Sequence, residues 1–357
     1  MKPIKIDTYE KTRIENKYKK LFFEKKSYFK SYFWRKLTIT FSLLILLLFY
    51  IIKHNIFNHH KNKREIGKFK SDRGFEFFCC FCTMGRVENK YARELIEYYM
   101  NLGVEKFVFG DNALPTEEKL HEVLQDYIEE GIVDIIDLIG KPTPQGHFFG
   151  VMYKKYKSRC EWLTFFDFDE YIEMHFEEGK NINLKEYLTS PIFNNCDSIA
   201  INWLMYTDNN LLYYDKRPLV ERFIEPSYSN YANKFVKSII RGNLTVPDSP
   251  IGVCSHSPIE VSKKCDSMGQ STKAIDQLDP NFKYAYLKHY NTKTAEEYAY
   301  KILKGDVEYK PYESIEHRVD LFFEHNSFSK EKLKVFEDKL NRSFPKFYSE
   351  EYQKNQG

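Results

Sequence analysis

The longest nearly apolar run in the chain is Leu37–Ile52, LTITFSLLILLLFYII, which carries no charge. Beyond it a shorter rhythm sets in. Residues 75–84, FEFFCCFCTM, are an almost unbroken apolar run of strand length. In 86–103, Tyr91, Leu95, Tyr98, Tyr99 and Leu102 form one helical stripe, and Gly103 is a stop signal. VEKFVFGDN (104–112) predicts a second strand that ends in Asp111 and Asn112. A helix should follow, opening at Pro115 and Thr116 and closing at Gly131. IVDIIDLI (132–139) predicts a third strand, PTPQGHFFGVMYKKYKSRC (142–160) a loop and a helix, and EWLTFFDFD (161–169) a fourth strand. Alternating strands and helices imply a parallel sheet with helices on its faces. Ligands bind such sheets beyond the carboxyl ends of the strands. Asp111 and Asp167 are both expected there.

The apolar run at 37–52 has a separate meaning. It is slightly shorter than the roughly 20 residues that span a bilayer. Arg35 and Lys36 close one end, Lys53 and His54 the other. No small-residue cleavage site follows, so a signal anchor is expected rather than a removed signal peptide. Residues 1–36 carry about a dozen Lys and Arg, which keeps that end cytoplasmic. The expected organisation is a basic tail (1–36), a transmembrane anchor (37–52), a short stem (53–74) and a catalytic domain (75–350) on the lumenal side. A short span suits a thin, early secretory membrane. Net charge is only +3, and the chain without its basic tail is mildly acidic, which speaks against nucleic acid as a partner. Of the seven cysteines, only Cys79 and Cys82 have Cys-x-x-Cys spacing and no second such pair follows, so a zinc ribbon is not expected. Cys79, Cys80 and Cys82 read as buried thiols. Cys160, Cys196, Cys254 and Cys265 are the disulfide candidates in a lumenal setting. Two glycosylation sequons, Asn243-Leu-Thr and Asn341-Arg-Ser, agree with that setting.

The candidate chemistry centres on Asp167, Asp169 and Glu170. On an extended strand Asp167 and Asp169 share a face and Phe168 takes the other. Two such carboxylates repel unless a cation lies between them. Mg²⁺ or Mn²⁺ suits oxygen ligands and completes its shell with phosphate and water, so a metal–diphosphate substrate is expected. Lys237 and Arg241 are candidates to offset charge on a departing phosphate. Asp208 and Glu221 follow the donor half and are candidates for the base that activates an acceptor hydroxyl. Trp203 and Tyr206 are candidates to stack on a sugar. Two other readings use the same residues. A metal-dependent nucleotidyltransferase would want a Gly-rich or Lys-bearing phosphate loop near the first strand, where only Gly85-Arg86 stands. A glycan-binding membrane protein with an inactive domain would not need the intact acid pair.

Several blocks in order, ELIEYYMNLGVEKFVFGDN, YIEEGIVDII, PTPQG, CEWLTFFDFDEYI, INWLMY, KSII, HSPI and LKHYNTKTAEEYAYKILKG, resemble glycosyltransferase family 92 and related family 2-like enzymes. They cover roughly residues 75–306. The resemblance implies an α/β GT-A fold, a Rossmann-like and mostly parallel sheet with flanking helices. It also implies inverting transfer from a nucleotide sugar, often UDP-galactose, to a glycan acceptor at a Golgi or other secretory membrane. Asp167 and Asp169 would form the metal–diphosphate motif with Glu170 nearby, Asp111 would lie by the nucleoside and Gln145 by the donor sugar. A histidine of the second half often completes the metal shell. His256 is the preferred metal ligand and His289 the preferred diphosphate contact. The sequence departs from relatives after Asn112, where ALPT stands in place of the usual Ser and Asp.

Overall fold

The apolar run at 75–84 becomes strand β1 (Phe77–Gly85), which is buried on both faces. Its even-numbered side chains Cys80, Cys82 and Met84 join a core cluster with Phe148, Phe149 and Met152. On the other face Phe81 meets Tyr99, with ring centroids 4.5 Å apart. A strand buried on both faces needs this unbroken apolar sequence. In the computed structural model the described residues are 73–143, 145–177, 180–245, 261–273, 276–305 and 314–344. The expected tail, the anchor at 37–52, nearly all of the stem, Cys254 and His256 lie outside them. Among the described residues no helix is long and apolar enough to cross a membrane.

The predicted alternation is present in full. After β1 come α1 (Asn89–Asn101), β2 (Lys106–Asp111), α2 (Leu120–Glu129), β3 (Val133–Asp137), α3 (Gln145–Tyr156) and β4 (Cys160–Thr164). Then follow β5 (Glu170–Glu177), β6 (Lys180–Asn181), α4 (Leu184–Leu188), β7 (Ser198–Met205), α5 (Leu219–Arg222), β8 (Val236–Arg241), β9 (Lys264–Cys265) and β10 (Ala285–His289). Three helices, α6 (Ala295–Lys304), α7 (Ile315–His325) and α8 (Lys330–Leu340), complete the described chain. Helix α2 opens at Leu120 and not at Pro115. Asp111 accepts the Leu120 N–H at 2.8 Å, and Glu117 turns aside to Arg86, so residues 113–119 are held as a loop.

The strand order is β3-β2-β1-β4-β8-β7-β10-β5-β6, with β9 beside β7. The first four strands are parallel, but β8 runs antiparallel to both β4 and β7, and β10 to β5. The sheet is therefore mixed, where a mostly parallel one was expected. The chain builds outwards from β1 to β3 and then returns to the far side of β1 with β4. That reversal opens a crevice at the carboxyl ends of β1 and β4, where open α/β sheets bind ligands.

Two disulfides staple the sheet, Cys80–Cys160 between β1 and β4 and Cys196–Cys265 between the approach to β7 and β9. Cys80, expected as a thiol, is a disulfide partner because parallel neighbours bring its Cα within 5.9 Å of Cys160. Cys79 and Cys82 are free and buried. The C-terminal helices form their own core around Tyr298, Phe322 and Phe336.

Candidate active site

Strand β4 stops at Thr164, so Asp167 and Asp169 lie in the turn that leads to β5 and not on the strand itself. The turn is closed by the Glu170 N–H donating to the Asp167 carbonyl at 3.2 Å. The Asp167 N–H in turn donates to Glu170 Oε2 at 2.8 Å. Phe168, between the acids, packs on Phe109 at 5.1 Å and is buried. Both acids line one cavity of about 260 Å³ with Met84, Gly85, Gln145 and Lys301. Phe168 borders the same cavity, so a turn in place of strand alternation sets the three side chains.

Each acid has its own positive partners. Asp167 Oδ1 accepts from Gln145 Nε2 at 2.6 Å and Oδ2 from Lys237 Nζ at 2.7 Å. Lys237 comes from β8, seventy residues away in sequence, and its side chain is only 1% exposed. It lies under Asp167 and 3.7 Å from Glu170 Oε1. Burial pushes the Lys237 ammonium down, yet the Asp167 carboxylate above all offsets this and holds it charged. Burial raises Glu170 well above the carboxylate range against the pull of Lys237. Asp169 Oδ2 is 3.4 Å from Lys293 Nζ and 3.8 Å from Lys301 Nζ. Burial alone would raise the Asp169 carboxyl, but Lys293, Lys301 and His289 hold it well below its ordinary value.

His289 ends β10 opposite Glu170 and places Nε2 3.7 Å from Asp169 Oδ1. Burial pushes it down to about 3, so the imidazole is neutral at physiological pH. Its Nδ1 is buried and has no hydrogen-bond partner among the described residues. Among those residues no group of three or more His, Cys, Asp or Glu forms a ready-made metal cage. The donor set still suits a hard divalent ion that keeps few protein ligands. Asp169 and His289 offer a carboxylate and a neutral nitrogen at distances longer than hydrogen bonds. Asp167 fits less well, because both its oxygens are already occupied. The lysines also supply the positive charge that the sequence argument reserved for a metal.

A larger cavity of about 470 Å³ adjoins the first and shares Arg86, Glu88, Asp169, Lys301 and Lys304 with it. A reciprocal clasp shapes the boundary. Arg86 Nη1 donates to the Lys304 carbonyl at 2.8 Å, and Lys304 Nζ donates to the Arg86 carbonyl at 2.9 Å and to Glu88 Oε1 at 2.8 Å. Local sequence gives little sign of these cations, because Gly85-Arg86 lacks a full phosphate loop and Lys301 and Lys304 pair only as neighbours one turn apart on a helix face.

The remaining candidates are dispersed. Asp111 is buried, its oxygens accept from the Ala113 and Leu120 N–H groups and so cap backbone, and it lines neither cavity. Asp208 is buried in an ion pair with Lys332 of α8 at 2.7 Å and lines neither cavity. Glu221 is exposed on α5 and also lines neither cavity. Arg241 lies 4.0 Å from the Trp162 ring centroid and donates to the Cys196 and Phe193 carbonyls, at the amino end of β4. Trp203, half-buried, packs against His289 at 4.3 Å with Lys237 Nζ 5.9 Å from its ring centroid, while Tyr206 packs against Tyr290 at 5.3 Å within the aromatic core.

A family model described as glycosyltransferase family 92 matches residues 75–344. A family 92 protein of Ricinus communis is 28% identical over 108 residues, 29% of this chain and 18% of that relative. One of Oryza sativa subsp. japonica is 27% identical over 116 residues, 31% of this chain and 19% of the relative. The aligned part of the chain thus spans under a fifth of those relatives' length. Among solved structures, S. aureus TarS matches with a TM-score of 0.31 at 15% identity, covering 76% of this chain and 45% of that one. Its 1–349 fragment matches with a TM-score of 0.29 at 14% identity, covering 73% and 72%.

Proposed function

This chain belongs to glycosyltransferase family 92, and we propose that it moves a sugar, galactose or a close relative, from a uridine diphosphate donor to a glycan acceptor. The observation that carries the proposal is the meeting of Asp167, Asp169, Lys301 and Lys304 in one cavity at the reversal point of the sheet. A GT-A fold is the natural reading of that arrangement.

In this reading the donor diphosphate lies across Arg86, Lys293, Lys301 and Lys304. Transfer breaks the bond from the anomeric carbon to the diphosphate oxygen, which leaves with the electron pair, and forms one to an acceptor hydroxyl oxygen, with inversion, while the hydroxyl proton passes to a carboxylate base or to water. Charge grows on the departing diphosphate, and fixed lysines offset it without reorganising. Lys237 and Gln145 fix the Asp167 carboxylate in one orientation, which positions the turn for the donor. A Mn²⁺ or Mg²⁺ ion would be held by Asp169 and His289 and would add positive charge at the leaving group. The type II secretory-pathway topology expected from residues 1–52 belongs to the same proposal, and the two disulfides support an oxidising compartment.

Calorimetric titration of UDP into the full chain tests the reading, with and without Mn²⁺. Binding should be saturable, and Asp169→Asn should weaken its Mn²⁺-dependent part at least tenfold while the melting temperature stays nearly constant. Absence of nucleoside diphosphate binding, or equal binding by Asp169→Asn, would sink it.

A further inference from the structure

The two sequons take no part in the crevice. Asn243 and Asn341 are both exposed, and both sit in left-handed backbone at the end of an element, with φ of 56° just after β8 and 51° at the end of α8. Left-handed backbone favours asparagine for local reasons, so the turns alone account for the two asparagines. They do not account for the residues two positions on. Thr245 and Ser343 are exposed as well. Among the described residues neither hydroxyl and neither Asn side-chain amide makes a hydrogen bond. At both places an unspent amide and an unspent hydroxyl therefore stand at the surface with the spacing that an N-glycan acceptor requires.

The position of Asn243 is dictated by packing. A Cβ on Gly242 would meet the Cys160 carbonyl at 2.0 Å, so the chain is pinned there against the lower end of β4. The Asn243 N–H then donates to the Lys157 carbonyl at 2.8 Å, and Asn243 is exposed. Strand β8 pairs Arg241 with Trp162 and so delivers Asn243 to the amino end of β4, opposite the end that carries Asp167. A branched sugar at Asn243 leaves the crevice open. The two disulfides are an independent sign of the oxidising compartments in which this modification occurs.

We infer that Asn243 and Asn341 are N-glycosylation sites, acceptors for an oligosaccharide carried on a lipid diphosphate. A bond forms from Asn Nδ2 to the anomeric carbon of the sugar. The bond from that carbon to the diphosphate oxygen breaks, the lipid diphosphate leaves with the electron pair, and one amide proton is lost. The inference does not depend on the chain's own transferase chemistry.

The test is the full-length chain made in a eukaryotic secretory cell. Partial digestion with peptide N-glycosidase should increase mobility in two steps, and Thr245→Ala and Ser343→Ala should each remove one step. These substitutions leave each asparagine and its turn in place, so loss of a step is not a folding effect. Complete digestion in ¹⁸O water should convert Asn243 and Asn341 into labelled aspartate in their peptides. Unshifted protein with unlabelled peptides at both positions overturns the inference, and label at one position alone overturns it for the other.

Discussion

Gly85 shows how little freedom the acidic turn has. A Cβ there would meet Phe168 Cδ2 at 2.7 Å and Glu88 Cγ at 2.8 Å. Phe168 cannot retreat, because Phe109 stands behind it. Gly85→Ala should therefore cost about 1–3 kcal/mol in stability through overpacking. It should cost donor turnover disproportionately, since Phe168 links the two acids. Urea unfolding and donor hydrolysis, measured on the same preparation, check this. If turnover falls only in step with the folded fraction, the turn does not transmit the shift. At this scale the acid pair was legible, because an apolar run leading into acids marks a strand end. Lys237 was legible only as a cation. Its place beneath Asp167 depends on a strand pairing across seventy residues that no local pattern encodes. Asp111 was ambiguous, because a carboxylate at a strand end serves equally well as a ligand or as a cap for the next loop.

Helix α6 carries the lysine pair, and its sequence announces its start. Thr294 and Glu297 form a reciprocal capping box, readable as T-x-x-E. The second task of Glu297 is not readable. It accepts from Arg222 Nη1 at 2.8 Å and Nη2 at 3.0 Å and from the Tyr91 hydroxyl at 2.6 Å, which ties α1, α5 and α6 together. Both charged side chains are almost fully buried. Glu297→Ala leaves Arg222 buried and unpaired and should cost about 3–5 kcal/mol. Burial raises the Glu297 carboxyl, but Arg222 and Tyr91 outweigh it and hold it below its ordinary value. Its contribution is thus fully present above pH 4.5 and lost as pH falls through the lowered folded value. Glu297→Gln, which does not titrate, should be less stable at neutral pH and lose less on acidification. Thermal melts between about pH 6 and pH 3 measure both slopes; parallel slopes would show that the pair is not the titrating element. A similar pair docks α8. Asp208→Ala strands Lys332, which keeps bonds to Asn210 Oδ1 and the Ser327 carbonyl, so the loss should fall near 3 kcal/mol. Turnover per folded molecule should change less than tenfold, and a thousandfold loss would restore Asp208 as the base.

For the whole molecule, legibility stops where the sheet changes direction. The four parallel strands follow from periodicity, since each helix returns the chain to the same end of the sheet. Strands β7, β8 and β10 do not, because antiparallel and parallel pairings interleave there over long separations. The same long range makes the disulfides consequential. Cys80–Cys160 closes 80 residues and Cys196–Cys265 closes 69. In the chain-entropy account a loop of that size is worth about 4.5 kcal/mol. Two together approach the whole stability of an ordinary domain, about 5–15 kcal/mol. Denatured without reductant, the chain should alkylate at Cys79 and Cys82, while Cys80, Cys160, Cys196 and Cys265 should react only after reduction. Peptide mass spectrometry reads this directly, and alkylation of all four before reduction would remove both crosslinks. In the folded chain all four sulfur-bearing residues are buried, so reductant alone should act slowly. In moderate urea, where the chain opens, reduction should become fast and prevent refolding. Cys196→Ala with Cys265→Ala should lower the urea midpoint without changing UDP affinity in the folded state, because that bridge lies on β9 and the approach to β7, away from the crevice residues.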